Sequence, residues 1–566
     1  MSSSVDLLII NGYVPEIGTA TGADATSTEG RPTTVAVSEG QIVEVGGAEL
    51  EKLRGPETAI VDANGGAILP GINDGHLHFC ASAVTAYVLV PVGHATDWAE
   101  IHEIAQNTAP GADGWVRGHG WDDARHGAPD MARFFELNPD VPTVLFDQSG
   151  HQLIVNGRGL EELGLSESAD DVAGGVVGRR DNNAPNGHFA DAAMGLVNDQ
   201  LPALPAQTLL EAFSKYQADL HALGITSLTE PGLGPGGNTL LSGACGEPSI
   251  QALVDLAKRD QLRTRLNVLL LFSGTGGATA EATTSGLESE LTAALSETDD
   301  QWLRVAGVKV FADGTPRSGT AWMKQQYCLP CGHGHGGLVI AGKTEAEQRA
   351  ELNDIIAAIH NAGLQAGVHA TGDATTEAVI EAFAHAAGVN GKHDLRHYVI
   401  HGAFENADRF AELAEDGFGV STNPAIRAAA GALMTNILGE DWYRRHQPLG
   451  SLMRHGVHVN IASDSPVTSP DWRNSVIAAV TRASTASIEE DSSEGLSLSQ
   501  ALAAMTSEPA WQDKAEQFKG RIEPGYVADI CVLSAPLPKD VEELRHIPTA
   551  TTIVGGEIVY SAKTNK

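Results

Sequence analysis

The feature that most constrains the fold is a repeated unit, a short apolar stretch that ends in polar or glycine-rich residues. Most of these stretches are followed by a helical pattern, and strands that alternate with helices build a parallel sheet. About eight are present, the number that closes a (β/α)8, TIM-like barrel. In chain order they are AILPGINDGHLHF, PTVLFDQSGH, GITSLTEPG, RVAGVKVFADG, LQAGVHATGD, HYVIHG, GFGVSTNP and HVNIASDSP.

The connections between these stretches are of two kinds. In the helical pattern TEAEQRAELNDIIAAIHNAG, Thr344 is expected to cap the helix, Glu347 occupies the capping-box position, and Gly363 should end the helix. The chain between the first and third stretches is far longer than typical βα loops. We expect these extra residues to form a lid or cap over the site.

The two ends of the chain share a β pattern. DLLIINGYV and TVAVSEGQIVEVG near the start, and ADICVLS and TTIVGGEIVY near the end, carry β-branched residues around Asn-Gly, Glu-Gly and Gly-Gly turns. The sequence therefore predicts an α/β protein with three segments. Residues 1–68 and 515–566 form one β-sandwich domain built from both termini, and residues 69–514 form the barrel with its lid insertions.

Charge and composition restrict the partners. The formal net charge of −36 disfavours nucleic acid and anionic membranes, and no stretch has the roughly 20 uninterrupted apolar residues of a membrane helix. Five cysteines in 566 residues give no disulfide framework, and the amino terminus has no signal-peptide pattern. We expect a cytoplasmic enzyme, a homodimer, that acts on a small molecule.

Histidines lie at the end of the first stretch. His76 and His78 are two residues apart, so that in a strand both imidazoles point to the same face, here the barrel interior. Two histidines placed in this way can chelate one cation. A chance pairing of polar residues in a loop is the competing interpretation.

A lysine lies inside an apolar strand in RVAGVKVFADG. A bare ammonium at Lys309 would lose its hydration on burial. One solution is carboxylation by CO2, which gives a carbamate anion able to bridge two divalent metal ions. The alternative is an ion pair with nearby Asp313.

Three further polar residues end strands in the same way. His369, His401 and Asp464 each follow an apolar run, and carboxyl ends of strands carry the catalytic residues of barrel enzymes. A single buried histidine is more often a satisfied core residue. The recurrence of such residues strand after strand favours a metal centre.

With these residues, the sequence resembles the amidohydrolase superfamily, and within it the subgroup of YtcJ-like proteins and N-substituted formamide deformylases. The resemblance spans nearly the whole chain. Two blocks depart from the family, with VIH where relatives often read IEH, and STNPAIR where relatives tend to carry Gln-Pro. The blocks that carry the resemblance are LPGINDGHLH, GHGWDD, DQSGHQLIVN, GVKVFADGTPRSGTA, GLQAGVHATGD, LRHYVIHG, IASDSPV and RIEPGYVADICVL.

The resemblance implies two divalent metal ions. One is held by His76, His78 and Asp464, the other by His369 and His401, and carboxylated Lys309 bridges them. Zinc suits imidazole-rich sites, and manganese, iron and nickel remain compatible with these ligands.

Such ions lower the pKa of a water molecule and supply hydroxide, and Asp464 would act as general base and acid. The implied activity is cleavage of an amide or formamide C–N bond. Alternatives are another acyl substrate, such as a carbamate, lactone or cyclic amide, or a binding or regulatory protein without catalysis.

Other polar residues near the strand ends are weaker candidates. His151 is expected to donate a hydrogen bond to the substrate carbonyl oxygen, and Glu230 to line the pocket. Arg317 is expected to anchor substrate or to pair with an acid. Trp121, with His119, forms either a pocket wall or core. Asp313 and Asp373 orient ligands or have loop and capping roles.

One cysteine- and histidine-rich segment stands apart from these strand ends. CLPCGHGH places Cys328, Cys331, His333 and His335 within eight residues. These side chains could hold a separate structural zinc ion, but no second distant pair completes a usual zinc knuckle. A lid loop is the preferred interpretation.

Overall fold

An eight-stranded parallel sheet, whose strands follow chain order, forms the centre of the computed structural model. The structure describes residues 4–17, 32–172, 175–234, 246–289, 292–293, 295, 298–328, 334–404 and 408–562. Across the seam between the last and first strands, the Asp464 N–H donates to the His76 carbonyl over 2.9 Å. The sheet is therefore nearly closed, and the predicted barrel is confirmed. Barrel strands 1 to 8 are Ile72–Asp74, Ile225–Leu233, Arg265–Leu270, Leu303–Phe311, Gln365–Ala370, Tyr398–His401, Gly419–Thr422 and His458–Ile461.

One predicted barrel strand is wrong. Thr143–Asp147, from PTVLFDQSGH, belongs to a different sheet, where it pairs antiparallel with Gln152–Val155. The turn between these two strands folds the chain back on itself at once, so no helix follows. Arg265–Leu270, which was not predicted, takes the third place in the barrel.

The long insertion after barrel strand 1 is a folded unit with its own sheet. It contacts the loops at the carboxyl ends of the barrel strands, since Gln148 Nε2 donates to the Pro466 carbonyl over 3.0 Å and Arg317 Nη2 donates to Asp122. The insertion therefore covers the end of the barrel where the predicted ligands lie. In spatial order its strands are Gly175–Arg179, Pro185–Asp191, Gln152–Val155, Thr143–Asp147, Val116–Trp121 and Val90–Pro91.

The helices that surround the barrel have the expected capping chemistry. Thr344 and Glu347 form the predicted capping box, and the helix runs over Glu345–Asn361. No helix among the residues described above is long and apolar enough to cross a membrane. The other helices after the barrel strands, from the first to the last, are Phe79–Tyr87, Ala206–Ala222, Glu247–Lys258, Ala280–Leu287, Asp373–Asn390, Asp408–Glu415, Pro424–Leu438 and Trp472–Thr481.

Other helices connect and cover these elements. Those in the insertion and the following connection are Trp98–Asn107, Asp123–His126, Met131–Phe135, Gly157–Glu162, Ala192–Met194 and Gly195–Asn198. The remaining ones are Ala48–Leu53, Glu440–Arg445, Leu449–Arg454, Ser492–Glu494, Leu498–Ala503, Ser507–Gln512 and Val541–His546.

Both chain ends contribute to two four-stranded sheets. In spatial order the first contains Gln41–Gly46, Pro32–Ser38, Leu7–Tyr13 and Ala59–Asp62, and the second contains Glu557–Ser561, Thr549–Val554, Ile530–Leu533 and Ile68–Pro70. One hydrophobic core joins side chains of both sheets, for example Ile9, Val35, Ile530 and Ile553. The first contribution to this domain thus runs to Pro70, because Ile68–Pro70 pairs with Ile530–Leu533.

Two of the three predicted turns in these sheets are hairpins. Glu39 and Gly40 (φ 52° and 76°) and Gly555 and Gly556 (φ 55° and 81°) both have the positive φ pair of two-residue hairpin turns. The predicted Asn-Gly turn is wrong. Asn11 (φ 57°) lies inside the strand Leu7–Tyr13, where the register shifts as in a β-bulge.

A chain of buried imidazoles joins barrel strand 5 to the start of strand 6. The Ala366 N–H donates to His397 Nδ1 over 2.9 Å, and His360 Nδ1 lies 3.0 Å from His397 Nε2. His360 Nε2 donates to the Gly391 carbonyl over 2.9 Å. These contacts give each of the four ring nitrogens of His360 and His397 one hydrogen-bond partner. Burial lowers the pKa of His397 to about 3, and neighbouring His360 and Lys514 act in the same direction.

We expect buried His397 to make the protein less stable in acid. In the unfolded chain a histidine titrates near 6.5. Between that pKa and the lower pKa of folded His397, the unfolded state binds a proton that the folded state does not bind. Stability is therefore lost as pH falls from about 6.5 toward 3, by up to about 1.4 kcal/mol per pH unit for His397. Thermal melting between pH 7.5 and 5 measures this loss.

The His397→Gln variant should show a shallower fall of the melting temperature with pH. Exposed His546 provides the control, since His546→Gln should reproduce the wild-type slope. Equal slopes for wild type and His397→Gln would contradict the assignment.

Candidate metal centre

Three of the predicted ligands converge at the seam of the barrel. His76 Nε2 and His78 Nε2 lie 3.2 and 3.3 Å from Asp464 Oδ1. Ligand atoms at 2.0–2.1 Å from a tetrahedral zinc ion are about 3.3 Å apart. Among the described residues no hydrogen bond reaches buried Asp464 Oδ1, so this oxygen lacks the partner that a cation would supply.

Two of the ligands have strained backbones. His401 and Asp464 adopt φ values of 70° and 55°, in the left-handed region that few residues other than glycine populate. Such conformations are retained where the surrounding structure holds a functional side chain in place. Here they aim both side chains into one space, since ligand atoms of His76, His401 and Asp464 all lie within 4.8 Å of one another.

His369 and His401 face each other through unprotonated nitrogens. His369 Nε2 lies 3.0 Å from the Gly314 carbonyl, which can only accept, so this nitrogen carries the proton and Nδ1 carries a lone pair. His369 Nδ1 lies 3.1 Å from His401 Nε2.

The tautomer of His401 is fixed by Asn423. Asn423 Nδ2 donates to the Ala462 carbonyl over 3.2 Å, so Asn423 Oδ1 faces His401 Nδ1, 2.7 Å away, and that nitrogen must donate. His401 Nε2 therefore also carries a lone pair. Two lone pairs at this distance repel unless a cation lies between them, and metal-ligating histidines are oriented by such outer hydrogen bonds.

Charge favours a metal ion over a proton in this space. Burial lowers the pKa of His76, His369 and His401, that of His401 to about 4. Although burial opposes ionisation, the neighbouring histidines hold the pKa of Asp464 well below its ordinary value. Neutral imidazoles and an ionised carboxylate are the protonation states that metal binding requires. The residues present thus fit divalent cations.

Lys309 lies on barrel strand 4 and is 2% exposed. Burial lowers the pKa of its amine to about 7, although the charges of Asp464 and Glu230 act in the opposite direction. The alternative interpretation, an ion pair of Lys309 with Asp313, is not found among the described residues. Asp313 instead accepts hydrogen bonds from Thr371 N, Gly372 N and Thr375 Oγ1. A buried amine with this pKa is partly neutral at pH 7, and a neutral amine is the form that reacts with CO2.

His151 reaches the centre from the insertion. It lies in the turn of the hairpin that was mistaken for a barrel strand, and its ring centroid is 6.3 Å from that of His369. His151 Nδ1 is 3.0 Å from Asp191 Oδ1. Burial disfavours the imidazolium, but Asp191, Asp147 and Asp464 outweigh it and raise the pKa of His151. The other ring nitrogen is thus available as a hydrogen-bond donor.

The three residues predicted to contact substrate have other partners. Glu230 is buried behind the ligands, with Oε1 3.9 Å from His78 Nδ1 and Oε2 accepting from Cys80 N over 2.9 Å. Arg317 pairs with Asp122, so it ties the barrel to the insertion. Trp121 has no exposed surface and packs near Trp98 in the core of the insertion. Of its two predicted roles, the structure therefore favours the core position over the pocket wall.

The outer carboxylates organise the loops behind the ligands. Asp313 is fully buried and accepts backbone N–H groups of the loop after barrel strand 5, and burial raises its pKa to about 7. It fixes the loop beside the Gly314 carbonyl that orients His369. Asp373 accepts from Lys324 N over 2.8 Å. His119 is buried in the sheet of the insertion.

Two residues of the centre were not predicted. Asn423 orients His401, and Asp191 holds His151. The unusual STNP block pointed to the strand end that carries Asn423, whereas no sequence pattern marked Asp191.

Of the four residues of the possible separate zinc site, Cys331 and His333 lie outside the described residues. Cys328 is exposed, and His335 Nδ1 lies 3.1 Å from the Met323 carbonyl.

Comparison with known proteins also indicates a hydrolase. The profile of the Amidohydrolase family matches residues 59–560. The chain is 25% identical over 545 residues to the putative amidohydrolase YtcJ of Bacillus subtilis (strain 168), covering 94% of this chain and 96% of that protein. It is 23% identical over 576 residues to an N-substituted formamide deformylase of Arthrobacter pascens, covering 99% of each.

A solved structure has the same fold. An uncharacterized metal-dependent hydrolase from Pyrococcus furiosus superposes with a TM-score of 0.69 at 21% identity, over 92% of this chain and 97% of that one. The predicted resemblance to YtcJ-like proteins and formamide deformylases is confirmed. Because the family profile spans most of its length, the protein belongs to the Amidohydrolase family and is a hydrolase.

Proposed function

We propose that this protein is a metal-dependent amidohydrolase that cleaves the C–N bond of a small linear amide or formamide. The observation that carries the proposal is the pair of facing lone pairs on His369 and His401, 3.1 Å apart, beside the convergent set of His76, His78 and Asp464. Similarity to an N-substituted formamide deformylase supports the choice of bond.

In this proposal, different residues carry out different steps of the hydrolysis. Divalent ions held by these ligands would lower the pKa of a water molecule and supply hydroxide near neutral pH. Asp464 would accept the water proton and later deliver it to the leaving amine. His151 would donate its free N–H to the carbonyl oxygen as negative charge develops there.

Lys309 supplies the second anionic ligand in this proposal. Two dications bring about four positive charges and neutral imidazoles cancel none, so a carbamate on Lys309, together with Asp464 and hydroxide, would reduce the excess. The partly neutral amine of Lys309 at pH 7 suits its reaction with CO2. Zinc is the proposed metal because the set is rich in imidazole.

Metal analysis and a substrate panel on the same preparation test the proposal. The panel contains N-alkyl and N-aryl formamides, acylated amino acids, carbamates, lactones and cyclic amides. We expect stoichiometric metal and hydrolysis of linear amides that a chelator abolishes and zinc restores. Turnover confined to lactones or cyclic substrates would remove the linear-amide assignment, and bound metal without any turnover would favour a binding protein.

The pH profile tests the role of His151. The raised pKa keeps the imidazolium to higher pH, so kcat/KM should fall as pH rises through that pKa. In Asp191→Asn the supporting charge is lost, the pKa of His151 drops, and the fall should begin at lower pH. Between the two pKa values the variant should be up to about 10²-fold less active than wild type, the usual scale for one oxyanion donor.

A matched control for this profile is Asp140→Asn, which changes an exposed aspartate of the same insertion. It should follow the wild-type curve. Parallel profiles for wild type and Asp191→Asn would contradict the proposed donor.

A further inference from the structure

Two buried arginines hold one peptide segment beside the metal centre. Arg427 Nε and Arg482 Nη2 both donate to the His446 carbonyl, over 3.0 and 3.2 Å, and Arg482 Nη1 donates to the Gln447 carbonyl over 2.7 Å. Arg427 is 3% exposed and Arg482 is 2% exposed. Arg427 shares its charge with Glu490, whereas no carboxylate of the described residues pairs with Arg482.

The segment held in this way is itself strained. Gln447 has a φ of 53°, and the His446 ring is stacked on Trp442 with centroids 4.8 Å apart. Burying a guanidinium without a counter-charge and keeping a glutamine in the left-handed region both cost free energy. Strain of this kind is a reason to look for a functional role in the side chains that it presents.

Each of the two side chains presents a buried polar atom without a partner. Within the described part of the chain, neither His446 Nδ1 nor Gln447 Oε1 makes a hydrogen bond. Gln447 Nε2 contacts the Asn423 carbonyl at 3.4 Å, which assigns Oε1 as the amide oxygen, an atom that only accepts. Buried polar atoms without partners are rare and costly in native proteins, so both atoms are available to hydrogen-bond a bound ligand.

The pair lies next to the metal centre. Gln447 contacts Asn423, the residue that orients His401. His446 and Gln447 have no role in the mechanism proposed above.

We propose that His446 and Gln447 form a substrate subsite that recognises the N–H of a secondary amide. Gln447 Oε1 accepts this hydrogen, and His446 Nδ1 bonds a second polar group of the same substrate. A tertiary amide has no N–H, and its N-alkyl group would leave Gln447 Oε1 buried and unpaired. The inference rests on the proposed function for its substrate class and adds the selection of secondary over tertiary amides.

The test compares N-butylformamide with N-butyl-N-methylformamide, which differ only at that hydrogen. Zinc-loaded protein gives kcat/KM for each, and calorimetry on protein stripped of metal by a chelator gives the dissociation constants without turnover. Wild type should prefer the secondary amide by about tenfold or more in both measurements. Gln447→Met, similar in length but without Oε1, should bring this ratio close to one.

Further variants separate recognition from folding. His446→Phe keeps the stack on Trp442 and should raise KM for a secondary formamide that carries a second polar group, such as N-(2-hydroxyethyl)formamide, whereas His446→Asn, which can place a polar atom near Nδ1, should restore part of the loss. His455→Phe, at an exposed histidine, is the control. Metal content and melting temperature should match wild type in every variant that is compared.

The outcomes distinguish the subsite from the proposed function. Equal use of both amides by wild type, or an unchanged preference in Gln447→Met, would overturn the subsite while hydrolysis stands. Selective binding of the secondary amide without hydrolysis of either compound would support the subsite and overturn the proposed reaction.

Discussion

Replacing Lys309 with alanine should remove bound metal and activity together. Without a carbamate, the two dications would lose their bridging anion amid four imidazoles that carry no charge. We expect metal content to fall from about two ions to one or none per chain, and kcat/KM to fall by about 10³-fold or more, as for loss of a catalytic metal's ligand. Elemental analysis and hydrolysis assays on the same samples measure both quantities.

Chemical rescue makes this result specific. Formate or acetate can enter the space left by the lysine side chain and supply a carboxylate, so part of both metal and activity should return. Lys392→Ala, at an exposed lysine that pairs with Asp416, should behave as wild type. High-resolution density with an unmodified Lys309 beside one fully occupied ion, in an active preparation, would overturn the bridge and leave a mononuclear mechanism.

The second large effect is expected from Asp464→Asn. The substitution keeps the size of the side chain but removes both its charge and its ability to move a proton. General acid–base groups contribute about 10² to 10⁴-fold, and we expect a loss of kcat/KM in that range at saturating zinc. The zinc dissociation constant should also rise, because one anionic ligand is gone.

A nearby aspartate gives the matched control. Asp471 caps the helix Trp472–Thr481, and asparagine is an equally good cap, so Asp471→Asn should retain activity within about twofold. If Asp464→Asn kept near wild-type kcat/KM with full zinc occupancy, another group would have to carry the proton.

The barrel and most of its ligands could be predicted because their signal is local. A polar residue at the end of an apolar run is visible in the sequence, and the carboxyl ends of parallel strands meet at one face. His369, His401 and Asp464 each follow this rule. The barrel strand Arg265–Leu270 was not predicted because the following residues SGTGG contain no metal ligand. Thr143–Asp147 was wrongly assigned to the barrel because it is also an apolar run that ends in polar residues.

Residues whose roles depend on distant partners were beyond prediction. Asp191 is 40 positions from His151 along the chain, and only the folded insertion brings them together. Trp121 in GHGWDD was assigned to a wall or to the core with equal reason, because burial of an aromatic residue is decided by its neighbours in space. His446 and Gln447 lie in a connection without periodicity, and their backbone is fixed by Arg427 and Arg482.

The sandwich assembled from both chain ends has a consequence for synthesis on the ribosome. Ile68–Pro70 pairs with Ile530–Leu533, and the core side chains of the first sheet pack against Ile530 and Ile553. At about 5–20 residues per second, about 20 to 90 s separate the emergence of these partners. During that interval the nascent first sheet exposes its apolar face and is a client for chaperones, and a stop codon before codon 530 would leave that face permanently uncovered.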